Sequence, residues 1–311
     1  MGTPFISLLE PSRLDGYDPH LPHSAQPQAS RLPPVFLDAM AVREAVFVGE
    51  QGIPLAHEHD ADDARSCHWA AYASVNQRIA TSDPHPEEPN PETGTGTGTG
   101  ARQGQGQGQE QQVRRSETRT VPIGTLRVVP FPHPPHPKDG ARYADNALLP
   151  SSPPDDDSNS LVTAATNELQ SAAEEERQGS ALPFGVDRAT TYHDGREPYV
   201  KIGRLAVIPE FRGHHISTQL WAAAGKWLAE HPTYFDPSVA ELGMDQLKAG
   251  AAGDIPRWNG LVCCHAQESV VKIYERWGFK VDEGMGRWVE EGIPHVGMFL
   301  RLPIKETDPK V

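Results

Sequence analysis

One segment carries residues whose types and order could bind an anion. Over residues 201–220, KIGRLAVIPEFRGHHISTQL, an apolar strand pattern ends at Pro209, and the turn RGHHIS (212–217) then leads into a helical pattern. The first turn of a helix presents unpaired backbone N–H groups and the positive end of the helix dipole, which together suit a phosphate. Neither GxxxxGK[ST] nor GxGxxG is present. The segment predicts an anion site, with a plain strand-to-helix turn and a solvated Arg212 as the alternative.

Three consecutive residues, Cys263, Cys264 and His265, could supply a nucleophile and a base. Successive side chains of a strand point to opposite faces, so only Cys263 shares a face with His265. A Cys–His pair can act in nucleophilic catalysis, but a free cysteine on an apolar strand is far more often an inert core residue. A thiol hydrolase is therefore the weakest of the hypotheses.

Histidines and acidic residues are concentrated in the segment HEHDADD, residues 57–63. The candidate ligands are His57, His59, Asp60, Asp62 and Asp63. They follow neither a zinc nor a calcium spacing, and a solvated acidic loop explains them equally well. The sequence predicts no metal site.

The composition excludes several classes of partner. The 311 residues carry 28 Lys and Arg against 42 Asp and Glu, a net charge of −14, whereas nucleic-acid binding depends on clustered cations. Three cysteines form neither a disulfide framework nor a zinc spacing, which favours a reducing compartment. No targeting signal is evident, and the most apolar helical stretch, LWAAAGKWLA, is too short to span a membrane. We expect a soluble cytoplasmic protein, with a nuclear location left open.

Low-complexity segments divide the chain. Residues 81–120 contain GTGTGTG and QGQGQGQ, and residues 131–197 contain proline-rich and acidic runs. Such compositions bury too little apolar surface to offset chain entropy, so both segments are predicted to be disordered insertions. The remaining parts form one domain: an N-terminal part over 1–80, a strand within 121–130 and a second half over 198–305, followed by a tail over 306–311.

The hydrophobic patterns of these parts predict alternating strands and helices. We predict strands in FISLL (5–9), CHWAAYAS (67–74), VPIGTLRVV (121–129), YVKIGRLAVIP (199–209), GLVCCHA (260–266) and HVGMFLRL (295–302). Helices are predicted over about 35–50, over 216–230 and in ESVVKIYERWGF (268–279), which ends at Gly278. This order predicts an α/β (α+β) domain in which helices flank a central mixed, mostly antiparallel sheet.

The pattern LAVIPEFRGHHISTQL resembles the acetyl-CoA motif of the GNAT superfamily of N-acetyltransferases, an apolar strand followed by Arg/Gln-x-x-Gly-x-Gly/Ala. Three further stretches are similar to other family segments, in the family's order. They are REAVFVGEQGIP (43–54), HAQESVVKIYERWGF (265–279) and VEEGIPHVGM (289–298). The resemblance covers most of the predicted domain and none of the insertions, as in a fungal-type chain with long low-complexity insertions. It implies acetyl transfer from acetyl-CoA to a primary amine, such as a small amine or an amino sugar.

The resemblance also implies roles for individual residues. Backbone groups of Leu205, Ala206 and Val207 would pair with the pantetheine arm of acetyl-CoA, and the amides of Arg212, Gly213, His214, His215, Ile216 and Ser217 would hold its pyrophosphate. Tyr274 would protonate the leaving thiolate, although a tyrosine beside Val270, Val271 and Trp277 is commonly a packing residue. The amine would attack the thioester directly, without a covalent acyl-enzyme.

The acceptor side of the predicted site is less defined. Glu50, Glu58 and Asp60 lie where the family's acceptor loop would be, and one of them, such as Glu50, could bind the substrate ammonium or relay its proton in catalysis; a solvated acidic loop is the alternative. Glu291 and His295 are further candidates, and His295 titrates near neutral pH and could act as a base. A sugar-phosphate acceptor would require a basic pocket, for which Arg43, Lys201 and Arg204 are candidates.

One departure from the family pattern weakens the acetyl-CoA prediction. His215 and Ser217 replace glycine and a small residue, and a Cβ at these positions would crowd the pyrophosphate. A catalytically weak domain that binds CoA or another protein is therefore the rival hypothesis. We expect a small-molecule amine as partner, no nucleic acid and no membrane; a homodimer is left open.

Overall fold

The computed structural model describes residues 5–79, 115–145, 147–149, 187–236 and 257–304. The chain divides into two compact units, one of residues 5–72 with 122–311 and the other of residues 1–4 with 73–121. The described residues of the smaller unit, 73–79 and 115–121, are the outer parts of two strands. These two strands run through both units, and the other described elements belong to the larger unit.

Ten strands form one mixed sheet in the order β1-β2-β3-β6-β7-β10-β9-β4-β5, with β8 beside β10. Their bounds are β1 Phe5–Leu9, β2 Cys67–Ile79, β3 Arg115–Val129, β4 Arg142–Ala144, β5 Ala147–Leu148, β6 Val200–Val207, β7 Leu261–Gln267, β8 Lys280–Val281, β9 Arg287–Glu290 and β10 Ile293–Arg301. The β6–β7 and β4–β9 pairs are parallel. The β1–β2, β3–β6, β4–β5, β7–β10, β8–β10 and β9–β10 pairs are antiparallel. The predicted fold class is confirmed.

Among the described residues, three helices pack on this sheet. Helix α1, Pro34–Arg43, continues as a π-helix over Glu44–Glu50, α2 spans Ile216–Glu230, and α3 spans Val271–Arg276. Helix α2 buries six residues along one stripe: Ile216, Leu220, Trp221, Ala224, Gly225 and Leu228. The stripe approaches β3 closely at Gly124, where an added Cβ would lie 2.9 Å from Ile216 Cγ2. In the described part of the chain, no helix combines the length and apolar character needed to cross a membrane.

Part of the segment predicted as the second insertion is ordered. Residues 131–145 and 187–197 pack against the β8–β9 region, so the prediction of disorder is wrong for them; residues 150–186 lie outside the described residues. Asp282, fully buried, accepts hydrogen bonds from Thr190 Oγ1 and from the backbone N–H groups of Thr191 and Tyr192. The Arg188 guanidinium donates to the carbonyls of Pro137, Gly284 and Met285. These long-range hydrogen bonds offset the chain entropy that local composition could not.

Strands β6 and β7 separate part of the way along their length. Their ladder has three pairs, Val200–Val262, Lys201–Cys263 and Ile202–Cys264. Strand β6 nevertheless continues to Val207 and β7 to Gln267. Arg204 has a φ of 48°, and the β3–β6 register shifts between Thr125 and Arg127, so an irregularity bends β6 where the separation begins. The sheet therefore contains a fork whose β6 edge presents the backbone of residues 203–207.

Candidate active site

A large cleft of about 1520 Å³ opens at the fork between β6 and β7. Its walls include the β6 edge with Leu205, Ala206 and Val207, the turn before α2, and the first part of α3. The cleft also reaches the β9–β10 hairpin and the loop that follows the π-helix. Most of the residues predicted from the sequence as site residues therefore line one continuous space.

The turn before α2 has the backbone shape of an anion site. Gly213 and His215 have φ values of 79° and 58°, and helix α2 starts at Ile216 directly after them. Helix geometry leaves the N–H groups of this first turn without intrahelical partners, and no side chain caps the helix. Arg212, Gly213, His215, Ile216 and Ser217 line the cleft, whereas His214 is exposed and is not among the lining residues.

Glu50 lies at the turn rather than at the acceptor end. Its carboxylate is hydrogen-bonded by both terminal nitrogens of Arg212, with Nη1 at 2.8 Å, and Arg212 Nε donates to Val207 O at 3.0 Å. The hydrogen bond from Arg212 lowers the pKa of Glu50. An ionised carboxylate held by an arginine is a poor proton acceptor, so we do not retain Glu50 as a catalytic base.

Tyr274 lies on α3 and lines the cleft, with only 6% of its surface exposed. Its ring contacts Trp277 at 5.2 Å and Phe279 at 5.7 Å, both edge to face. Burial, with Cys264 nearby, raises the pKa of its phenol well above the usual value. The hydroxyl therefore stays protonated at neutral pH, as a proton donor must.

Glu291 and His295 line the other end of the cleft, Glu291 in the two-residue turn between β9 and β10 and His295 on β10. Glu291, with a φ of 49°, accepts a hydrogen bond from the N–H of Asp145 at 2.6 Å and lies 3.1 Å from His57 Nδ1. His295 Nδ1 lies 2.8 Å from the carbonyl of Ile293. Glu291 thus connects two loops through one carboxylate oxygen, Oε1.

Two further residues complete this end of the cleft: Glu290, which the sequence did not single out, and His265, which it offered only as the base of a Cys–His pair. Glu290 Oε1 accepts a hydrogen bond from Trp288 Nε1 at 2.7 Å and lies 3.3 Å from His265 Nδ1. Glu290 Oε2 lies 3.9 Å from His295 Nε2. Alternation along β7 signals that His265 faces away from Cys264, but Glu290 lies on β9, a strand absent from the predicted set.

The loop after the π-helix is a buried ion network and not a solvated acidic loop. Arg43, fully buried, donates to Glu58 Oε1 at 2.6 Å and to Asp63 Oδ1 at 2.7 Å. Arg127 donates to the same Asp63 oxygen at 2.7 Å and to both oxygens of Asp60. The expectation that Glu58 and Asp60 are solvated is therefore wrong.

The same network reaches the cleft through Arg204. Its Nη2 donates to Asp60 Oδ2 at 3.1 Å, and its Nε lies 3.2 Å from Glu58 Oε1. Three arginines thus balance three carboxylates: Arg43, Arg127 and Arg204 against Glu58, Asp60 and Asp63. Arg43 is unavailable to an acceptor because it is enclosed. Lys201 and Arg204 line the cleft.

The cysteines are not arranged for nucleophilic catalysis. Cys263 and Cys264 are both fully buried, and burial raises the pKa of each thiol well above its usual value. A thiolate is the nucleophilic form of cysteine, so the thiol hydrolase hypothesis loses its reactive group. Across the described ranges, no group of three or more His, Cys, Asp or Glu side chains is placed to hold a metal ion.

Comparison with known proteins gives similarities to solved structures only. An acyl-CoA N-acyltransferase from Pseudomonas aeruginosa matches 96% of this chain and 99% of its own at 14% identity, with a TM-score of 0.39. Escherichia coli ElaA matches 96% of this chain and 99% of its own at 15% identity, with a TM-score of 0.38. Arabidopsis thaliana NAA60 in complex with acetyl-CoA matches 96% of this chain and 98% of its own at 10% identity, with a TM-score of 0.35.

No protein-family model and no curated protein matches the chain. One of these structures is of an acyl-CoA N-acyltransferase, and another is of a complex with acetyl-CoA. Because these TM-scores are below 0.5, the similarity carries no argument about function.

Proposed function

We propose that this protein is a GNAT-type N-acyltransferase that transfers an acetyl group from acetyl-CoA to a primary amine. The observation that carries the proposal is the fork between β6 and β7, with an anion-binding turn at one end of its cleft. The four sequence segments that resemble the family supply parts of this same cleft: the π-helix, β6 with the turn, β7 with α3, and the β9–β10 hairpin.

The residues present fit acetyl-CoA as a substrate. The β6 edge at residues 203–207 lies beyond the β6–β7 ladder, so its backbone can pair with an extended chain as an added strand would. The N–H groups at the start of α2 suit a pyrophosphate. An added Cβ at Gly213 would meet nothing within 4 Å, so space remains above the turn. Bound there, acetyl-CoA supplies an activated acyl group.

Groups of the protein can then protonate the leaving thiolate and stabilise the acyl oxygen. The protonated phenol of Tyr274 can donate to a thiolate leaving group. A backbone N–H of the β6 edge can donate to the acyl oxygen as negative charge develops on it. The acceptor amine would enter from the end lined by Glu290, Glu291 and His295. Direct attack needs no nucleophilic residue, which agrees with the buried, protonated thiols.

Binding of acetyl-CoA by calorimetry tests the proposal first. We expect a dissociation constant in the micromolar range, about −8 kcal/mol, for the wild type. The substitution Ser217→Glu places a negative charge in the first turn of α2 and should abolish binding. The matched control is Lys226→Glu at the exposed far part of the same helix, where Lys226 is 74% exposed, and it should leave binding unchanged.

A third variant in the same assay tests whether His215 weakens the binding of acetyl-CoA. His215 adopts a left-handed φ that glycine tolerates better than histidine, so His215→Gly should bind at least as tightly as the wild type. Binding by this variant alone would favour the rival hypothesis of a weakened site. If neither protein binds acetyl-CoA, the proposed function is wrong. Where binding occurs, release of free CoA with 2-phenylethylamine and with glucosamine then measures transfer.

A further inference from the structure

We propose that His265, oriented by Glu290, is the base that accepts the proton of the acceptor amine, an inference that rests on the proposed acetyl transfer. His265 lines the cleft on β7, and its side chain is 16% exposed. The β7–β10 register pairs it with Gly297 and places Gln267 opposite His295. His265 and His295 therefore lie on the same face of the sheet, opposite the face of Cys264.

Glu290 is placed to fix the histidine ring. Its Oε1 lies 3.3 Å from His265 Nδ1 and also accepts the Trp288 indole N–H at 2.7 Å. The Trp288 ring meets the His265 ring edge to face, with centroids 4.8 Å apart. A carboxylate at Nδ1 favours the tautomer with its proton there, which leaves the lone pair of Nε2 as the proton acceptor. Nε2 has no hydrogen-bond partner among the residues that the structure describes.

The other candidate bases at this end are engaged differently. The carboxylate of Glu291 is hydrogen-bonded by the Asp145 N–H and lies next to His57. His295 Nδ1 is directed at the carbonyl of Ile293, and its Nε2 lies 3.9 Å from Glu290 Oε2. Neither residue has a carboxylate placed to orient it as Glu290 orients His265.

The charges around His265 come from three strands and one loop. Burial lowers its pKa, Glu290 on β9 opposes that shift, and Lys201 on β6 and His295 on β10 reinforce it. His133 and His136 in the segment after β3 are also close enough to interact with His265. The pKa of His265 ends below its usual value, so the imidazole is neutral at pH 7 and able to accept a proton.

The proton balance of the step is complete. The ammonium form of the amine transfers one proton to His265 Nε2, and the neutral nitrogen forms the C–N bond as the C–S bond breaks. The CoA thiolate takes a proton from Tyr274, and the second proton of the attacking nitrogen restores the phenol. His265 then releases its proton to solvent. Overall, the acetyl group moves from CoA to the amine and one proton is released to solvent, without any oxidant or metal.

Two substitutions should shift the pKa of His265 in opposite directions, and this is the test. In full-length protein labelled with ¹³C at histidine, NMR follows the titration of His265 in the wild type and in the two variants. Glu290→Gln removes a charge that raises the pKa, so the pKa should fall. Lys201→Gln removes a charge that lowers it, so the pKa should rise. If both substitutions shift the pKa of His265 in the same direction, or neither shifts it, the proposed pairing of His265 with Glu290 is wrong.

The kinetic arm separates this inference from the proposed function. With 2-phenylethylamine and glucosamine as acceptors, His265→Gln should lower kcat/KM at pH 7 by a factor of about 100 or more and remove the acid limb of the pH profile. Its acetyl-CoA affinity should stay within about twofold of the wild type, since a general base acts on the amine. The acid limb should move to lower pH in Glu290→Gln and to higher pH in Lys201→Gln.

A control variant and three contrary results complete the experiment. His231→Gln changes a histidine at the exposed end of α2, outside the cleft, and should leave the profile unchanged. If His295→Gln removes the acid limb while His265→Gln keeps it, His295 is the base and the inference is wrong. Equal rates for wild type and His265→Gln at every pH also overturn it. No transfer by the wild type overturns both this inference and the proposed acetyl transfer, and the calorimetry then shows whether the cofactor site exists.

Discussion

Removing one carboxylate from the buried ion network should destabilise the protein strongly. Asp63 is 1% exposed and accepts hydrogen bonds from Arg43, from Arg127 and from the backbone N–H of Asp60. The substitution Asp63→Asn keeps the shape but leaves three arginines facing two carboxylates. An uncompensated buried charge costs about 3–5 kcal/mol, a large fraction of the roughly 5–15 kcal/mol by which proteins are stable.

The neighbouring residue supplies a matched control. Asp62 bonds Arg65 at 2.7 Å, and both side chains are partly exposed, at 26% and 33%. Such surface pairs contribute roughly 0–1 kcal/mol, so Asp62→Asn should change the free energy of unfolding little. Urea unfolding at pH 7, followed by circular dichroism, measures both variants. A cost for Asp63→Asn within 1 kcal/mol of the cost for Asp62→Asn would refute the argument.

A double variant tests whether charge balance is the cause. Combining Asp63→Asn with Arg127→Met leaves two arginines, Arg43 and Arg204, and two carboxylates, Glu58 and Asp60. We expect the double variant to lose less stability than the sum of the single variants, with a coupling energy of at least about 1 kcal/mol. Strict additivity would mean that packing, rather than charge, sets the cost.

Two other properties should follow from the structure. Burial lowers the pKa of His68 and of His136 to about 4, so the unfolded chain binds their protons first and the free energy of unfolding should fall as pH drops from about 6.5 to 4. A second loss should come between about pH 4 and 2, because Arg127 and other cations hold the pKa of Asp60 at about 2 against the effect of burial. Urea midpoints from about pH 7 to 2 measure both losses, and a flat profile would contradict the buried ionisation states. Gly297→Ala should cost about 1–3 kcal/mol, because the new Cβ would lie 2.1 Å from the sulfur of buried Met285. Gly49→Ala, whose Cβ would have only an ordinary contact at 3.5 Å, is the control in thermal unfolding, and equal midpoints for the two variants would count against that packing.

The sequence by itself determined the elements with strong local patterns. Periodic apolar residues predicted β1 and α2 with the bounds that the structure has, and they located the cores of β6, β7 and β10. The order of residues 209–217 likewise predicted the turn before α2. In each of these segments, nearby residues along the chain determine the conformation.

Tertiary structure decided what depends on partners far away in sequence. Residues 187–197 and strands β4 and β9 are ordered by long-range hydrogen bonds, which composition does not reveal. The acidic segment 57–63 became part of a buried network only because β3 and β6 bring Arg127 and Arg204 to it. The pairing of His265 with Glu290 requires β10 to lie between their two strands in the sheet. Ionisable groups take their role from the charges that folding brings to them, and a single sequence does not display those distances.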